Sequence, residues 1–355
     1  MIKDFKKKII INDKVFSLEE LLNNFDKEKF KNFKANKKEL IGVSEYNGIS
    51  LISKILFVLK NKMIPALIPP EYDYNFTFKT FKKIGANHCF LNNKYLKIQQ
   101  KKWSSTHFDI VMFSSGSTGL PEALAIPFKA FKNNANMVQK YLKLSHNDTH
   151  LGTFSFCYMS GFYNSFLLPL LTKGTPILTE QFSIFKLKNF LETVNKYKPS
   201  IIWTSPHVVK VLTSLSQVKK KSFKGVKFFI SCTAPLSLKQ KQDFQKKFDK
   251  PVLQSYGLCE TLINTIQSDI LNHNDDSVGK TIGNKNSIVI KKNKKIVISN
   301  KSLYLGVIKK LNTINPKGLK NNAFETNDLG FFDKNNNLFI IGRESNVINI
   351  DGKKF

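Results

Sequence analysis

The sequence predicts an α/β fold with parallel-rich sheets layered with helices, followed by a small β-barrel-like unit. From about residue 40 to residue 212, short apolar runs alternate with longer segments of helical spacing, as in a parallel sheet covered by helices. Several of these runs end in small or turn-forming residues, at the strand ends where open α/β sheets bind ligands. After about residue 272 the runs are short and separated by Asn, Lys and Gly, which is typical of antiparallel hairpins.

The individual elements follow from these patterns in chain order. The apolar runs "LIGVSEY", "PALIPP" and "HCFL" are predicted strands, and "GISLISKILFVLKNK" and "FTFKTFKKIG" between them are predicted helices. "FDIVMF" is a predicted strand that opens into a Ser/Gly-rich loop, and "FKAFKNNANMVQKYLKL" after that loop has helical spacing. "PSIIWTSP" and "VKFFISCTAP" are further strands, and "SIVI", "KKIVIS" and "NLFII" are short strands with a hairpin turn at "DKNNN".

Length and composition allow two domains or one large one. The chain has 355 residues, of which 41% are hydrophobic, so it can bury sizeable cores. We predict a sheet-and-helix region over 1–271, a small β subdomain over 272–342 and a hinge segment over 343–355.

The net charge of +30 arises almost entirely from lysine. Lys and Arg total 56 against 26 acids, and Arg343 is the one arginine. Nucleic-acid sites usually use Arg and a clustered basic face, whereas these lysines are scattered and accompany abundant Asn, Ile and Phe, as an AT-rich genome would produce. The composition therefore favours anionic partners, including nucleotides and acidic carriers, and a nucleic-acid-binding function rests on charge alone.

Cysteine spacing and hydropathy indicate a cytoplasmic protein. The four cysteines lie far apart without a CxxC pair, so neither a zinc site nor a disulfide framework is predicted. The N-terminus lacks the apolar region of a signal peptide, and no apolar stretch is long enough to span a bilayer.

The loop after "FDIVMF" offers backbone N–H groups and hydroxyls to an anion. Its residues are Ser114, Ser115, Gly116, Ser117, Thr118 and Gly119. Glycines let the backbone approach a phosphate closely. The loop matches neither GxxxxGK[ST] nor GxGxxG, and by itself a Ser/Gly-rich stretch is often a plain surface turn.

Further motifs follow in an order that identifies a family. Each has an ordinary structural interpretation: a core aromatic for Tyr256, solvated or turn acids for Glu260 and Asp328, and a surface cation for Arg343. Together, "SSGSTGLPEA", "CTAPL", "SYGLCET", "TNDLG" and "GRESNVINIDGKK" resemble the phosphate loop, adenine-side strand end, Tyr-Gly-x-x-Glu motif, Thr-Gly-Asp motif and hinge of the adenylate-forming enzymes. This superfamily includes acyl-CoA synthetases, nonribosomal-peptide adenylation domains and luciferases, and the resemblance covers almost the whole chain.

The resemblance implies ATP-dependent activation of a carboxylic acid as an acyl-adenylate, with transfer to CoA or to a carrier-protein phosphopantetheine. It assigns the loop to the ATP phosphates, with Ser117 and Thr118 in catalytic positions. Tyr256 and Gly257 would flank the adenine beside Thr233, Ala234 and Pro235. Glu260 would act in catalysis by holding Mg²⁺, a hard cation that suits a carboxylate, and Asp328 with Arg343 would bind the ribose.

The acid pocket implied by the resemblance lies below the loop. Its expected lining is Tyr158, Met159, Phe162, His207, Cys232 and Leu258, with His207 as a possible polar anchor; plain core packing is the alternative for these residues. In members that activate amino acids, an Asp binds the α-ammonium group, and Cys157 occupies the nearest equivalent position in this sequence. An ammonium group without a carboxylate partner in a buried pocket is costly. A non-amino acid is therefore expected.

The chain departs from the family pattern at several positions. Glu122 stands where many members have Lys, and it is expected either to repel the triphosphate by ~1 kcal/mol or to pair with a nearby Lys. Cys259 replaces a usual Thr, and Asn327 replaces a Gly, a mild change because Asn tolerates left-handed geometry. Family members continue past the hinge for roughly another hundred residues into a C-terminal lid. The sequence ends at the hinge, so we expect either that it is a truncated piece or that the protein works without a lid of its own, with one supplied by another chain.

Two hypotheses remain besides nucleic-acid binding. The first is an acid-thiol ligase, with an acyl carrier protein or a lid in trans as possible partners. The second is a lidless homologue that binds nucleotide or acyl-adenylate without efficient turnover, as a scaffold or sensor. Acid-dependent exchange of pyrophosphate into ATP separates them.

Overall fold

The structure is a computed structural model that describes residues 7–25, 33–99, 102–104, 106–114, 121–267 and 276–344, and the backbone of 349–350 and 353–354. The α-helices are α1 (Leu18–Asn23), α2 (Ile49–Lys60), α3 (Tyr74–Lys83), α4 (Phe128–Leu142), α5 (Leu168–Leu171), α6 (Leu187–Tyr197), α7 (Pro206–Ser214) and α8 (Leu238–Phe248). A π-helix spans Ser160–Leu167, and short 3₁₀ helices span Ile184–Lys186, Lys220–Phe223 and Lys285–Ser287.

The strands are short and follow in three groups. The first is β1 (Lys8–Ile11), β2 (Lys14–Ser17), β3 (Leu40–Ser44), β4 (Ile64–Leu67), β5 (His88–Leu91), β6 (Lys94–Lys97), β7 (Ile110–Ser114) and β8 (Glu122–Ile126). The second is β9 (Thr149–Gly152), β10 (Thr175–Leu178), β11 (Ile201–Thr204), β12 (Phe228–Ser231), β13 (Val252–Leu258), β14 (Leu262–Ile266) and β15 (Lys280–Thr281). The third is β16 (Ile288–Ile290), β17 (Lys295–Ile298), β18 (Gly306–Lys310), β19 (Thr313–Asn315), β20 (Leu319–Lys320), β21 (Ala323–Phe332), β22 (Leu338–Arg343), β23 (Asn349–Ile350) and β24 (Lys353–Lys354).

Two large sheets form the frame of the fold. A nine-stranded sheet has the order β15-β14-β13-β12-β11-β9-β10-β1-β2 and is parallel from β13 to β1. An eight-stranded sheet has the order β19-β18-β8-β7-β4-β3-β5-β6, with a parallel centre of β7, β4, β3 and β5. The predicted α/β class with parallel-rich sheets is thus confirmed.

A third sheet is antiparallel and has five strands. Its order is β16-β17-β21-β20, with β22 on the free side of β21. The predicted turn at residues 333–337 connects β21 to β22. Within the predicted range 272–342, however, β15 joins the nine-stranded sheet and β18 and β19 join the eight-stranded sheet. The three-part division of the chain therefore stays a prediction.

Successive side chains along a strand point to opposite faces, so the two faces of each large sheet pack into different hydrophobic cores. In β7, Ile110 and Met112 pack into the main core, whereas Val111 and Phe113 face the opposite side, the core that contains α3 residue Phe81. The main core also receives side chains from the nine-stranded sheet, α2, α4 and the π-helix. Helices α6, α7 and α8 cover the far face of the nine-stranded sheet. This coverage explains why the central strands are near-continuous apolar runs.

Helix α4 illustrates the agreement between sequence and structure. Its buried residues are Phe128, Ala130, Phe131, Asn134, Ala135 and Val138, which recur at helical spacing. It ends at Leu142, because Lys143 adopts a left-handed φ of +52°. In the part of the chain that the structure describes, no helix is long and apolar enough to cross a membrane.

Candidate functional site

A cavity of about 770 Å³ lies where strand ends of both large sheets face the five-stranded sheet. Ser114 comes from the end of β7, Thr233 from the loop after β12, and Gly257 from β13. Asp328 on β21 and Arg343 on β22 form the wall on the other side. The topology therefore brings together residues that lie far apart in the sequence.

Asp328 is the centre of a buried polar cluster. Its carboxylate accepts hydrogen bonds from the Tyr256 hydroxyl at 2.8 Å and from Arg343 Nε at 3.0 Å. Asp328 and Arg343 meet because they are paired residues of the antiparallel β21 and β22. Only 4% of Asp328 is exposed, whereas 59% of the Arg343 side chain is exposed. The predicted adenine and ribose residues thus share one contact network.

Two backbone features shape the wall beside Tyr256. Thr233 has a φ of +77°, which is unfavourable for a β-branched residue and typical of strain at functional sites. Gly257 lies at a bulge between β13 and β14, and a Cβ there would be 2.4 Å from the carbonyl oxygen of Leu262. Position 257 therefore requires glycine.

Glu260 projects a carboxylate into the same cavity. Burial raises its pKa, and the negative charges of Glu122 and Asp328 raise the pKa further. Glu260 forms no ion pair with any residue that the structure describes. A carboxylate that is costly to ionise and lines an acidic cavity is suited to a cation.

The cavity offers few protein ligands for a metal ion. The described residues contain no group of three or more His, Cys, Asp or Glu side chains that could hold one. Mg²⁺ retains several waters and is commonly bound by one or two carboxylates and substrate phosphates. Glu260 alone therefore fits a Mg²⁺ that is held mainly by phosphate and water.

Cys259 lies next to Glu260 and also lines the cavity. Burial raises the pKa of its thiol, and the charge of Glu260 adds to that effect. The thiol is therefore neutral and a weak hydrogen-bond donor.

Glu122 is paired with lysine, which was one of the two expectations for this residue. Lys317 Nζ lies 3.1 and 3.0 Å from its two carboxylate oxygens, and Lys309 Nζ lies 3.3 Å from Oε1. Burial raises the pKa of Glu122, but the two lysines outweigh that effect and the pKa is lowered overall. Glu122 is therefore ionised at neutral pH and also lines the cavity.

The floor of the cavity is uncharged. Tyr158, Met159, Cys232 and Leu258, which the resemblance assigns to the acid pocket, line it, and so do Ser160, Tyr163, Asn164 and Ile263, which no motif of the sequence indicated. Three of the latter are on the π-helix, where their spacing of three and four residues would have indicated only an ordinary buried helix face. Burial raises the pKa of Tyr158 and of Cys232 to about 12, so both are neutral.

Five predicted residues are not among those that line the cavity. Tyr256 is buried in the small core that includes Ile288 and Ile296, and only its hydroxyl connects it to the site through Asp328. Phe162 is fully buried in the main core, because the π-helix turns that side chain toward Phe131 and Phe166. His207 is exposed in the first turn of α7, and Ala234 and Pro235 are exposed beyond the cavity wall. The loop residues Ser115, Gly116, Ser117, Thr118 and Gly119 lie outside the described residues.

Comparison with known proteins identifies the class to which this fold and cavity belong. The sequence profile of the AMP-binding enzyme family matches residues 24–302. The chain is therefore a member of the AMP-binding enzyme family, as its motifs indicated.

The similar proteins include several CoA ligases and a luciferin 4-monooxygenase of Luciola mingrelica. A probable 4-coumarate–CoA ligase 2 of Dictyostelium discoideum is 23% identical over 263 residues, covering 68% of this chain and 46% of the relative. An oxalate–CoA ligase of Arabidopsis thaliana is 23% identical over 261 residues, covering 69% of this chain and 50% of the relative. The chain thus spans about half the length of the curated relatives it matches.

Solved structures share the fold at low identity. An anthranilate CoA ligase in complex with anthranoyl-AMP superimposes with a TM-score of 0.82 at 13% identity, covering 98% of this chain and 76% of that one. The unliganded O-succinylbenzoate CoA synthetase of Bacillus subtilis gives a TM-score of 0.81 at 15% identity, with coverage of 99% and 82%. The fold of the adenylate-forming enzymes is thereby shown.

Proposed function

We propose that this protein activates a non-amino carboxylic acid with ATP. A carboxylate oxygen of the acid attacks the α-phosphorus and forms an acyl-phosphate bond. The bond between the α-phosphorus and the oxygen bridging to the β-phosphate breaks, and pyrophosphate leaves with the electron pair. The products are an acyl-adenylate and pyrophosphate, so no proton transfer and no protein nucleophile are required.

One observation supports this proposal above the others. The Asp328 cluster, the uncharged floor and the carboxylate of Glu260, which has no ion-pair partner among the described residues, all border one cavity. The charged residues that line the cavity are Glu122, Glu260, Lys317, Glu325, Asp328 and Arg343, and the other lining residues are uncharged. A polyphosphate nucleotide would contact the charged lining residues, and an acid with a neutral body would contact the uncharged floor.

The roles of the nucleotide-side residues follow from their contacts. Asp328 would accept hydrogen bonds from the ribose hydroxyls, with its other contacts to Tyr256 and Arg343 fixing its orientation. Gly257 and Thr233 line the cavity and would flank the adenine, whereas Tyr256 is assigned to the adenine on the resemblance alone. We assign Ser114 and the loop residues 115–119 to the phosphates on the resemblance alone.

Glu260 would hold Mg²⁺, which when bound neutralises phosphate charge during the transfer. In the absence of the ion, burial keeps this carboxyl difficult to ionise. Phosphate binding and metal binding at Glu260 should therefore be mutually favourable.

The floor favours an apolar or aromatic acid. Near the floor, Cys157 is fully buried and its Sγ contacts the carbonyl oxygen of Glu45 at 3.6 Å, so it offers no charge to an ammonium group. A second carboxylate on the substrate would also lack a cation there. Among the acids in the names of the relatives, an aryl acid such as 4-coumarate therefore fits better than oxalate.

The acyl acceptor would be CoA or the phosphopantetheine of a carrier protein, with a lid domain or carrier acting in trans. We further propose that the reaction occurs in the cytoplasm, since the four cysteines are free and thus suit a reducing compartment. Both statements rest on family membership and composition.

A second candidate function is nucleotide or acyl-adenylate binding without efficient turnover. The neutral Cys259 thiol favours it, because a thiol is a weaker partner for the α-phosphate than the hydroxyl expected at this position.

Acid-dependent exchange of radiolabelled pyrophosphate into ATP, over a panel of aryl, fatty, dicarboxylic and amino acids, tests the proposal. Exchange with aryl or fatty acids is the expected result. AMP binding without exchange for any acid would favour the second candidate. Exchange with amino acids alone would contradict the assignment of the floor.

A further inference from the structure

Glu122 lies at the stem of the loop that follows β7. Strand β8 runs back antiparallel to β7, and Ser114 pairs directly with Glu122. The acid therefore lies opposite the last described residue before the loop, at the edge of the cavity. A single carboxylate at this position would disfavour a polyphosphate.

The local charge at the stem is nevertheless positive. The Glu122 carboxylate is shared by the ammonium groups of Lys317 and Lys309. Two positive charges and one negative charge leave a net charge of +1, which equals that of a single lysine at position 122. Both lysines come from distant sequence: Lys317 is 195 residues and Lys309 is 187 residues from Glu122.

Lys317 differs from Lys309 in its position relative to the cavity. Lys317 lines the cavity, whereas Lys309 is on β18 and is not among the lining residues. Lys309 reaches the carboxylate because its neighbour Ile308 pairs with Ala123, which follows Glu122 on β8.

The backbone around Lys317 is held in place from several sides. Its N–H donates to the carbonyl oxygen of Asn315 at 2.8 Å, and its own carbonyl oxygen accepts a hydrogen bond from the Tyr304 hydroxyl. Gly318 has a φ of +74°, and a Cβ there would be 2.7 Å from the Phe324 ring. The turn that presents Lys317 is therefore built into the fold.

The Lys317 ammonium can serve two partners at once. An ammonium group has three N–H donors, and the two oxygens of Glu122 occupy at most two of them. With 46% of its side chain exposed, Lys317 can direct the remaining donor toward the cavity.

We propose that Lys317 is the cation that binds the β- and γ-phosphates of ATP, and that Glu122 is a positioning residue that holds its ammonium at the loop stem. This inference rests on the proposed function, since it requires that the cavity bind ATP. It assigns a phosphate-binding role to a lysine outside the motifs found in the sequence. It also gives the negative charge of Glu122 a role, which is to hold the ammonium group of Lys317 in place.

The test compares the affinities of the full chain for ATP and AMP by calorimetry in the absence of metal, with inorganic pyrophosphate as a competitor. Lys317→Met should weaken ATP binding tenfold or more and AMP binding less than twofold, because AMP lacks the β- and γ-phosphates. Pyrophosphate should compete less well against ATP in the variant. Lys309→Met is the matched control: it removes an ammonium from the same carboxylate but outside the cavity, and it should weaken ATP binding less than threefold.

A double variant tests the positioning role of Glu122. Lys317→Met combined with Glu122→Lys returns an ammonium to the stem from β8 itself. ATP affinity within threefold of the wild type would support the inference, because a purely structural role for the pair predicts no such rescue. An ATP affinity that stays at the level of Lys317→Met would overturn the assignment of the stem as the place where the ammonium acts.

The outcomes separate this inference from the proposed function. Equal losses of ATP and AMP affinity in Lys317→Met, or equal effects of Lys317→Met and Lys309→Met, would overturn the inference while nucleotide binding stands. A wild type that binds neither nucleotide would overturn both. Thermal unfolding of each variant shows whether it is folded, and Lys317→Gln, which also removes the charge, replaces Lys317→Met if the latter fails to fold. An ATP-to-AMP affinity ratio equal to that of the wild type in this charge-removing variant would also contradict the inference.

Discussion

Replacing Asp328 should have two effects that are measured separately: a lower free energy of unfolding and a weaker affinity for nucleotide. In the free protein, Asp328→Ala leaves the buried Tyr256 hydroxyl without the acceptor that lies 2.8 Å away. A hydrogen bond to a charged group contributes ~1.5–3 kcal/mol. The lost ion pair with Arg343 adds less than ~1 kcal/mol, because 59% of that side chain is exposed. The free energy of unfolding should therefore fall by about 2–4 kcal/mol.

The effect on binding is a further loss. Ribose hydroxyls left poorly paired in a closed site cost ~1–3 kcal/mol, which corresponds to about a 5- to 150-fold weaker affinity for AMP. Asp328→Asn keeps the shape and one acceptor, so it should lose less stability while still weakening AMP binding.

Asp333→Ala is the matched control for Asp328. Asp333 is in the turn of the same β21–β22 hairpin and accepts hydrogen bonds from the backbone N–H groups of Asn335 at 2.9 Å and Asn337 at 2.7 Å. Its loss should destabilise the hairpin without changing AMP affinity. Calorimetric titration with AMP and urea unfolding measure the two quantities. Equal AMP affinities for wild type, Asp328→Asn and Asp328→Ala would refute the ribose assignment.

Three further predictions concern Glu260, Gly257 and Lys54. The folded-state pKa of Glu260 lies above its ordinary value of 4.5, so its contribution to stability is present below pH 4.5 and is lost as the pH rises through the folded-state pKa. Glu260→Gln should therefore raise the melting temperature of the metal-free protein at pH 7, and this gain should vanish below about pH 4.5. The same substitution should lower acid-dependent pyrophosphate exchange. A lower melting temperature at pH 7, or unchanged exchange, would count against these assignments. Gly257→Ala should lower the free energy of unfolding by ~1–3 kcal/mol, since its Cβ would be 2.4 Å from the Leu262 carbonyl oxygen, and a melting curve equal to that of the wild type would show that the bulge yields easily. Lys54→Met should cost ~3–5 kcal/mol in urea unfolding, because it leaves the buried Glu45 carboxylate without the ammonium 2.7 Å away; a loss under 1 kcal/mol would contradict this.

Much of the local structure could be predicted from the sequence. The strands β3, β7, β11 and β12 and the helices α2 and α4 follow from hydrophobic periodicity, which reports the burial of each face through neighbouring residues alone. The motif residues Thr233, Tyr256 and Asp328 were identified for the same reason, since each motif is a short contiguous stretch. The fold class and the family followed from the order of these local signals.

Other features depended on pairing between distant segments. The strand that follows the loop, β8, is short, and the hairpin β1–β2 joins the nine-stranded sheet through β10, which is more than 150 residues away in sequence. The local sequence does not indicate which strands pair, because the pairing depends on contacts that form when the sheet assembles.

The surroundings of Glu122 show the same limit at the level of one side chain. The sequence determined that an acid stands in the loop's downstream arm, and it left open whether that acid repels phosphate or pairs with lysine. The tertiary structure decided in favour of pairing by placing β18 and the turn after β19 beside β8, which brings two lysines to one carboxylate. Electrostatic energy depends on the distance between charges in space, and that distance is a property of the fold rather than of sequence separation.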